Sequence, residues 1–211
     1  MRTATLLTLI IFAIGFTVGC KDVTIPPDPT PAPTPYTAVF VFAAGGYEDV
    51  YDATVRSDIP DTNYETAGGL TVGFINVSTE FQTYIKFDIT SIPEGSLIQS
   101  ATLTLDNCTQ GGSPGNKLIA IENVSATWSH DTITWNNKPA STASSTYDML
   151  DSGGAGSYDI PLSVSMVQAW FDDENSNHGV VLKKGDALLQ TISFNSSNAA
   201  TNQPVLTVQY Y

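Results

Sequence analysis

Strict alternation is the feature that most limits what this chain can become. In Thr83–Ile89, Ile85, Phe87 and Ile89 fall on one side of an extended backbone, and Tyr84, Lys86 and Asp88 on the other. In Ala101–Asp106, Ala101, Leu103 and Leu105 alternate with Thr102, Thr104 and Asp106. A period of two sends successive side chains to opposite faces, so each run predicts a strand with one buried face. Shorter apolar or β-branched runs repeat the signal at Thr37–Ala43, Val50–Val55, Leu70–Phe74, Lys117–Val124, Thr132–Trp135, Gly179–Lys183, Thr191–Phe194 and Val205–Tyr211. Gly-Gly pairs at 45–46, 68–69, 111–112 and 153–154 punctuate them. Only Ser163–Phe171 has helical spacing, with Val164, Val167, Trp170 and Phe171 recurring along one stripe. About ten short strands and one short helix predict an all-β chain, an antiparallel jelly-roll-like β-sandwich over residues 36–211.

The first 35 residues do not belong to that fold. Arg2 precedes an uncharged stretch, and Leu6–Val18 is a 13-residue apolar run. That is the length of a secretory signal core and shorter than the roughly 20 residues of a membrane span. The run ends at Val18-Gly19-Cys20, a small residue before a cysteine, as in a prokaryotic lipobox; Thr17 replaces the usual Leu. We expect residues 1–19 to be a lipoprotein-type signal peptide and Cys20 to carry the lipid. Residues 20–35 then form a linker: Lys21–Pro35 holds six of the 12 prolines. Proline lacks an amide donor and favours an extended form, so this stretch predicts a stiff tether of roughly 45 Å. The expected place is extracellular, at the cell surface, with membrane contact through the lipid alone.

Charge excludes several partners. Beyond residue 35 there are 6 basic and 19 acidic residues, a net charge of −13. Nucleic acid and anionic lipid both need clustered Lys and Arg, and the longest basic run is Lys183-Lys184. His130 and His178 are too few for a multi-histidine metal site. Asp173, Asn175 and Asn177 alternate like a calcium loop, but Gly179 and Lys184 break the EF-hand pattern, so the expectation is no cofactor, with calcium at this loop as the lesser alternative. With Cys20 lipidated, Cys108 has no partner in the chain and reads as a buried, inert thiol. No nucleophile elbow, phosphate loop or zinc motif occurs, and no pair of acids is marked as catalytic, so no enzyme is expected.

Function enters through a series of motifs. TNYETAGGLTVG (62–73) is followed by YIKFDITSIPEGSLIQSATLTL (84–105), WSHDTITWNNKP (128–139), YDI (158–160), VQAWFDDENSNHGVVLK (167–183), ISFNSS (192–197) and QPVLTVQYY (203–211). From about Tyr47 to Tyr211 the chain resembles the DNRLRE domain family, grouped with carbohydrate-binding module family 96 and the disaggregatase-related repeats. The resemblance implies a jelly-roll sandwich on an extracellular protein, non-catalytic and binding polysaccharide. A solitary module behind a proline-rich arm also suits a second role. A structural surface protein, an adhesin or a fibre subunit would self-associate by strand pairing through that arm.

Within the motifs, Ile92-Pro93-Glu94-Gly95 reads as a turn. Trp128, Trp135 and Trp170 read as packing residues whose indole N–H groups bond to carbonyls. Sugar stacking falls instead to Tyr47, Tyr64 and Tyr147, read as loop tyrosines, and to the strand face of Tyr84 and Lys86 beside Asp88. The acidic balance predicts neutral glycans over polyuronates, because anionic ligands need Arg and Lys. Four sequons, at Asn76, Asn107, Asn123 and Asn195, are expected to matter only in a glycosylating host, with Asn76 and Asn195 in loops and Asn123 in a strand.

Overall fold

A computed structural model of the chain describes residues 33–43, 47–48, 50–106, 109–149 and 156–211, without the side chains of residues 42–43 and 47–48. Cys20, the signal segment, most of the linker, Asn107 and Cys108 lie outside the described residues. The strands are β1 (Tyr36–Phe40), β2 (Phe42–Ala43), β3 (Tyr47–Glu48), β4 (Val50–Arg56), β5 (Gly69–Asn76), β6 (Thr79–Phe87) and β7 (Ile98–Leu105). There follow β8 (Thr109–Gly112), β9 (Lys117–Val124), β10 (Ser141–Met149), β11 (Tyr158–Pro161), β12 (Val180–Lys184), β13 (Gln190–Asn195) and β14 (Val205–Tyr210). Helix α1 (Val164–Asp172) and a 3-10 turn (Glu174–Ser176) lie between β11 and β12.

These strands form the expected antiparallel sandwich. One layer runs β1-β14-β7-β11, the other β10-β9-β12-β6-β5-β13-β8, with β4 also paired to β6. Strand β4 meets β6 from Phe81 to Phe87, whereas β12 meets residues 83–85 and β5 meets 79–81. A strand has two edges, so β4 takes one and β12 and β5 share the other. Beyond Gly73, threonine hydroxyls bind the β5 backbone: Thr71 N–H donates to Thr54 Oγ1 (3.0 Å) and its carbonyl accepts from Thr83 Oγ1 (2.8 Å).

Register decides which side chains meet. Asp52, Ile85, Val180 and Asn123 share one row, and Ala53, Tyr84, Val181 and Glu122 the next. Adjacent rows point to opposite faces. The first row faces the core between the layers, where Ile85, Phe87, Ile119, Ile121 and Leu182 meet Leu103, Leu105, Leu206 and Val208. Helix α1 adds Met166, Val167 and Trp170 to that core. Ser163 lies just outside the helix and caps it through Met166 N–H (3.4 Å).

Most of the second row is covered as well, with only Glu122 partly exposed. Ala53, Val55, Tyr84, Val124, Ile133 and Val181 form a separate cluster, with Trp128 and Trp135 packed on it. The loop of residues 125–140 lies over the outer face of the larger sheet and inserts Ile133, which is 2 % exposed. This corrects two expectations. Thr132–Trp135 is a turn, not a strand: Thr134 N–H donates to Asn137 Oδ1 (2.6 Å) and Asn137 Nδ2 donates to Thr132 O (2.9 Å). An asparagine side chain has taken backbone groups that a sheet ladder would have used. Tyr84 is not on a solvated face; it is fully buried under that loop, its ring 5.6 Å from that of Trp128.

Candidate functional site

Where the outer face of β4 and β6 runs out, a cleft of about 960 Å³ opens across one end of the sandwich. Tyr51 and Lys86 are cross-strand neighbours at its start. Residues 88–97, after β6, form one wall, Trp128, Ser129 and His130 another, and α1 with the 3-10 turn a third.

Each wall is tied down by its own side chains. Asp88 Oδ1 accepts from Thr90 N–H (2.9 Å) and Thr90 Oγ1 (2.7 Å), which bends the chain out of β6. Ser96 N–H donates to Pro93 O (3.2 Å) and Gly95 holds a φ of 83°, the turn expected from Ile92–Gly95. Gln168 fixes α1 to this wall, accepting from Ile98 N–H at 2.8 Å. Asn177 Nδ2 donates to Phe87 O (2.8 Å), and Trp128 Nε1 donates to His178 O (2.8 Å). Trp170 Nε1 donates to Asn123 Oδ1 (3.1 Å). All three tryptophans serve packing: Trp135 lies on the second cluster, with Lys138 Nζ 3.6 Å from its ring centre. Gly179 permits the close approach of β12 to β6; its φ is 76° and a Cβ there would sit 2.2 Å from Ile85 O.

The ring pair of Tyr51 and His130, with centroids 5.3 Å apart, gives the cleft a half-buried aromatic surface, and Phe171 adds to it from α1. Exposed carboxylates of Asp88, Glu94, Asp172 and Glu174 line the rest. His130 Nε2 is 3.9 Å from Glu65 Oε1. Asp52 is not part of the cleft. It faces the core, its Oδ2 accepts from Ser197 N–H (2.7 Å), and burial pushes its carboxyl up to about 6 against that hydrogen bond.

Of the residues singled out by sequence, Lys86 lines the cleft, with Asp88 beside it. Tyr84 cannot touch a ligand: it is fully buried, its hydroxyl donates to Pro139 O (3.2 Å), and burial drives its phenol above the usual range. Tyr147 belongs to strand β10 rather than a loop, and packs half-buried against the main core. Strand β10 carries the sequence STASSTYDM, an edge ribbon with no apolar alternation to announce it. Tyr64 lies outside the cleft, its ring 5.7 Å from the Arg56 guanidinium. Tyr47 sits in β3 and its side chain is not among those described. Sequence reasoning missed Tyr51, His130, Phe171, Glu94 and Asn177 as neighbours, since they come from four separated stretches. The one signal was motif membership: SHD contains His130 and DDENSN contains Asn177.

The remaining sequence candidates disperse. Lys183 donates to Glu122 Oε2 (2.6 Å) and Lys184 to Asp186 Oδ1 (2.6 Å), so the adjacent lysines face apart and each meets a carboxylate. Burial alone would raise Glu122, but hydrogen bonds from Lys183 and Ser141 outweigh it and hold the carboxyl low. Asp173 caps the 3-10 turn through Asn175 N–H (3.0 Å) while Asn177 points inward, which dissolves the calcium-loop alternation. Among the described residues, no three His, Cys, Asp or Glu side chains gather as a metal would require.

The family model of carbohydrate-binding module family 96 matches residues 46–210. The chain belongs to this family. Every residue of the cleft falls inside the matched range, so the site is built from the family 96 module itself. No curated protein sequence matches the chain. Among the described residues, no helix is long and apolar enough to cross a membrane.

Proposed function

We propose that the chain is a non-catalytic, lipid-anchored module that holds extracellular polysaccharide in the cleft beside Tyr51 and His130. The observation that carries this reading is the cleft itself. At about 960 Å³ it has room for a short oligosaccharide, and it combines aromatic rings with polar groups within a carbohydrate-binding family. Pyranose C–H faces stack on rings, while hydroxyls need the surrounding acceptors. The anchor reading rests on Leu6–Val18, Gly19 and Cys20. The division into residues 1–19, 20–35 and 36–211 rests on these and on the proline-rich tether.

A glycan array probed with residues 36–211 tests the binding role, and Tyr51→Ala and Phe171→Ala should weaken every positive signal. Intact-mass analysis of membrane-extracted protein tests the anchor and should find a diacylglyceryl group on Cys20. Unmodified protein confined to the medium would refute the anchor.

One observation favours the second reading, self-association through the arm. Strand β1 is the outermost of its sheet, and Val39 on it is 57 % exposed. Light scattering across a concentration series distinguishes the two, since a pure binding module stays monomeric.

A further inference from the structure

We infer that the binding surface continues out of the cleft onto Leu97 and Tyr211, a second subsite that stacks on a further unit of a linear pyranose polymer. It rests on the cleft reading above and adds to it a requirement for chain length. Its basis is an irregularity where β7 meets β14. Gln209 pairs with Ser100, but the next residue, Tyr210, pairs with Ile98, so Gln99 is an extra residue in β7. A bulge of this kind shifts the alternation of the strand that carries it. Ala101, Leu103 and Leu105 face the core, and unbroken alternation would bring Gln99 and Leu97 to the same side. With Gln99 inserted, Ile98 turns inward instead and is buried, while Leu97 turns outward and is 65 % exposed.

Beyond the bulge the ladder closes once more. Leu97 N–H donates to Tyr211 O and Tyr211 N–H to Leu97 O, both at 3.1 Å. Two residues that exchange both bonds stand directly opposite, with side chains on one face and Cβ atoms roughly 5 Å apart. Tyr210 packs against the core, so Tyr211 after it points outward. Tyr211 is 36 % exposed and belongs to neither buried cluster. Leu97 is also a lining residue of the cleft, which makes the pair continuous with it. An exposed leucine beside an exposed phenol ring forms an apolar ledge with a polar tip. The C–H face of a pyranose covers such a ledge, and the phenol hydroxyl meets a sugar hydroxyl. A ligand that uses both the ledge and the Tyr51–His130 surface must be long enough to span them. Joining two weak contacts in one chain raises affinity without any change in either, so the module selects polymer over short fragments.

The test is calorimetric titration of the full chain in detergent with oligomers of two to eight sugars from cellulose, mannan and a polyuronate. In any series that binds, the longest oligomer should exceed the shortest one bound about tenfold in affinity. Tyr211→Ala should remove that gain and leave the shortest unchanged, and Tyr211→Phe, which keeps the ring, should retain it. Leu188→Ser, an exposed leucine outside the cleft, should change neither. A flat length series, or a Tyr211→Ala loss that is nil or equal at all lengths, overturns the second subsite; the cleft reading still holds if Tyr51→Ala weakens whatever binds. Absence of binding by every oligomer overturns both.

Discussion

The side-chain amide of Asn63 donates to the carbonyl oxygen of His130 at 2.8 Å. The same nitrogen donates to Ile133 O at 2.8 Å, so one residue clamps both the wall of the cleft and the plug of the second cluster. Its own Oδ1 accepts from Glu65 N–H (2.9 Å), which fixes the amide plane.

Asn63→Ala should therefore act on both. Two carbonyls lose their donor, at a cost of about 1–3 kcal/mol. Urea denaturation should show that loss, and glycan affinity should fall because His130 is no longer held beside Tyr51. Unchanged affinity would mean that the loop keeps its place without the clamp.

Tyr84 separates packing from recognition. Tyr84→Phe removes only the hydrogen bond to Pro139 and should cost about 1 kcal/mol. Tyr84→Ala empties a fully buried site and should cost about 3–5 kcal/mol. Tyr84→Phe should leave glycan affinity intact in titrations; a loss there would place Tyr84 at the ligand after all.

Asp52 makes stability depend on pH. Its carboxyl titrates at an ordinary 3.8 in the unfolded chain and at about 6 when folded, mainly through burial, with Oδ1 lacking any donor. The folded state then binds the proton more tightly. Its contribution is greatest below 3.8, falls as pH rises to about 6, and is flat above; the full swing is roughly 3 kcal/mol. Asp52→Asn should flatten that slope and raise stability at neutral pH in denaturation curves. The same slope in the variant would assign the effect to another group.

Gly179→Ala meets two obstacles, a φ of 76° and a Cβ 2.2 Å from Ile85 O. A loss of about 2 kcal/mol or more is expected. Amide exchange should locate it where β12 joins β6.

Glycosylation, in a host that performs it, should fall on Asn76. That residue is exposed at the end of β5, next to Val77, which is 89 % exposed. Asn123 sits in β9 with its Oδ1 taken by Trp170, and Asn195 ends β13 with Nδ2 bonded to Thr201 O (2.8 Å). Peptide mapping should find glycan on the Asn76 peptide and none on that of Asn123.

The sequence alone determined the fold class, because alternation such as Ile85-Lys86-Phe87 gives a strand one apolar face wherever it pairs. It also determined helix α1, whose stripe of Val164, Val167, Trp170 and Phe171 is a local signal. Family membership was legible in the WSHDTITWNNKP block and the strand preceding Ser91-Ile92-Pro93. Tertiary structure decided the rest. Whether Tyr84 faces water depended on the loop around Ile133, which is far away in sequence and folds through asparagine side chains rather than a ladder. The cleft was hidden for the same reason. Tyr51, Lys86, His130 and Asn177 meet only because β4 pairs with β6 and two capped turns dock at its end, and no local pattern encodes a contact between such distant stretches.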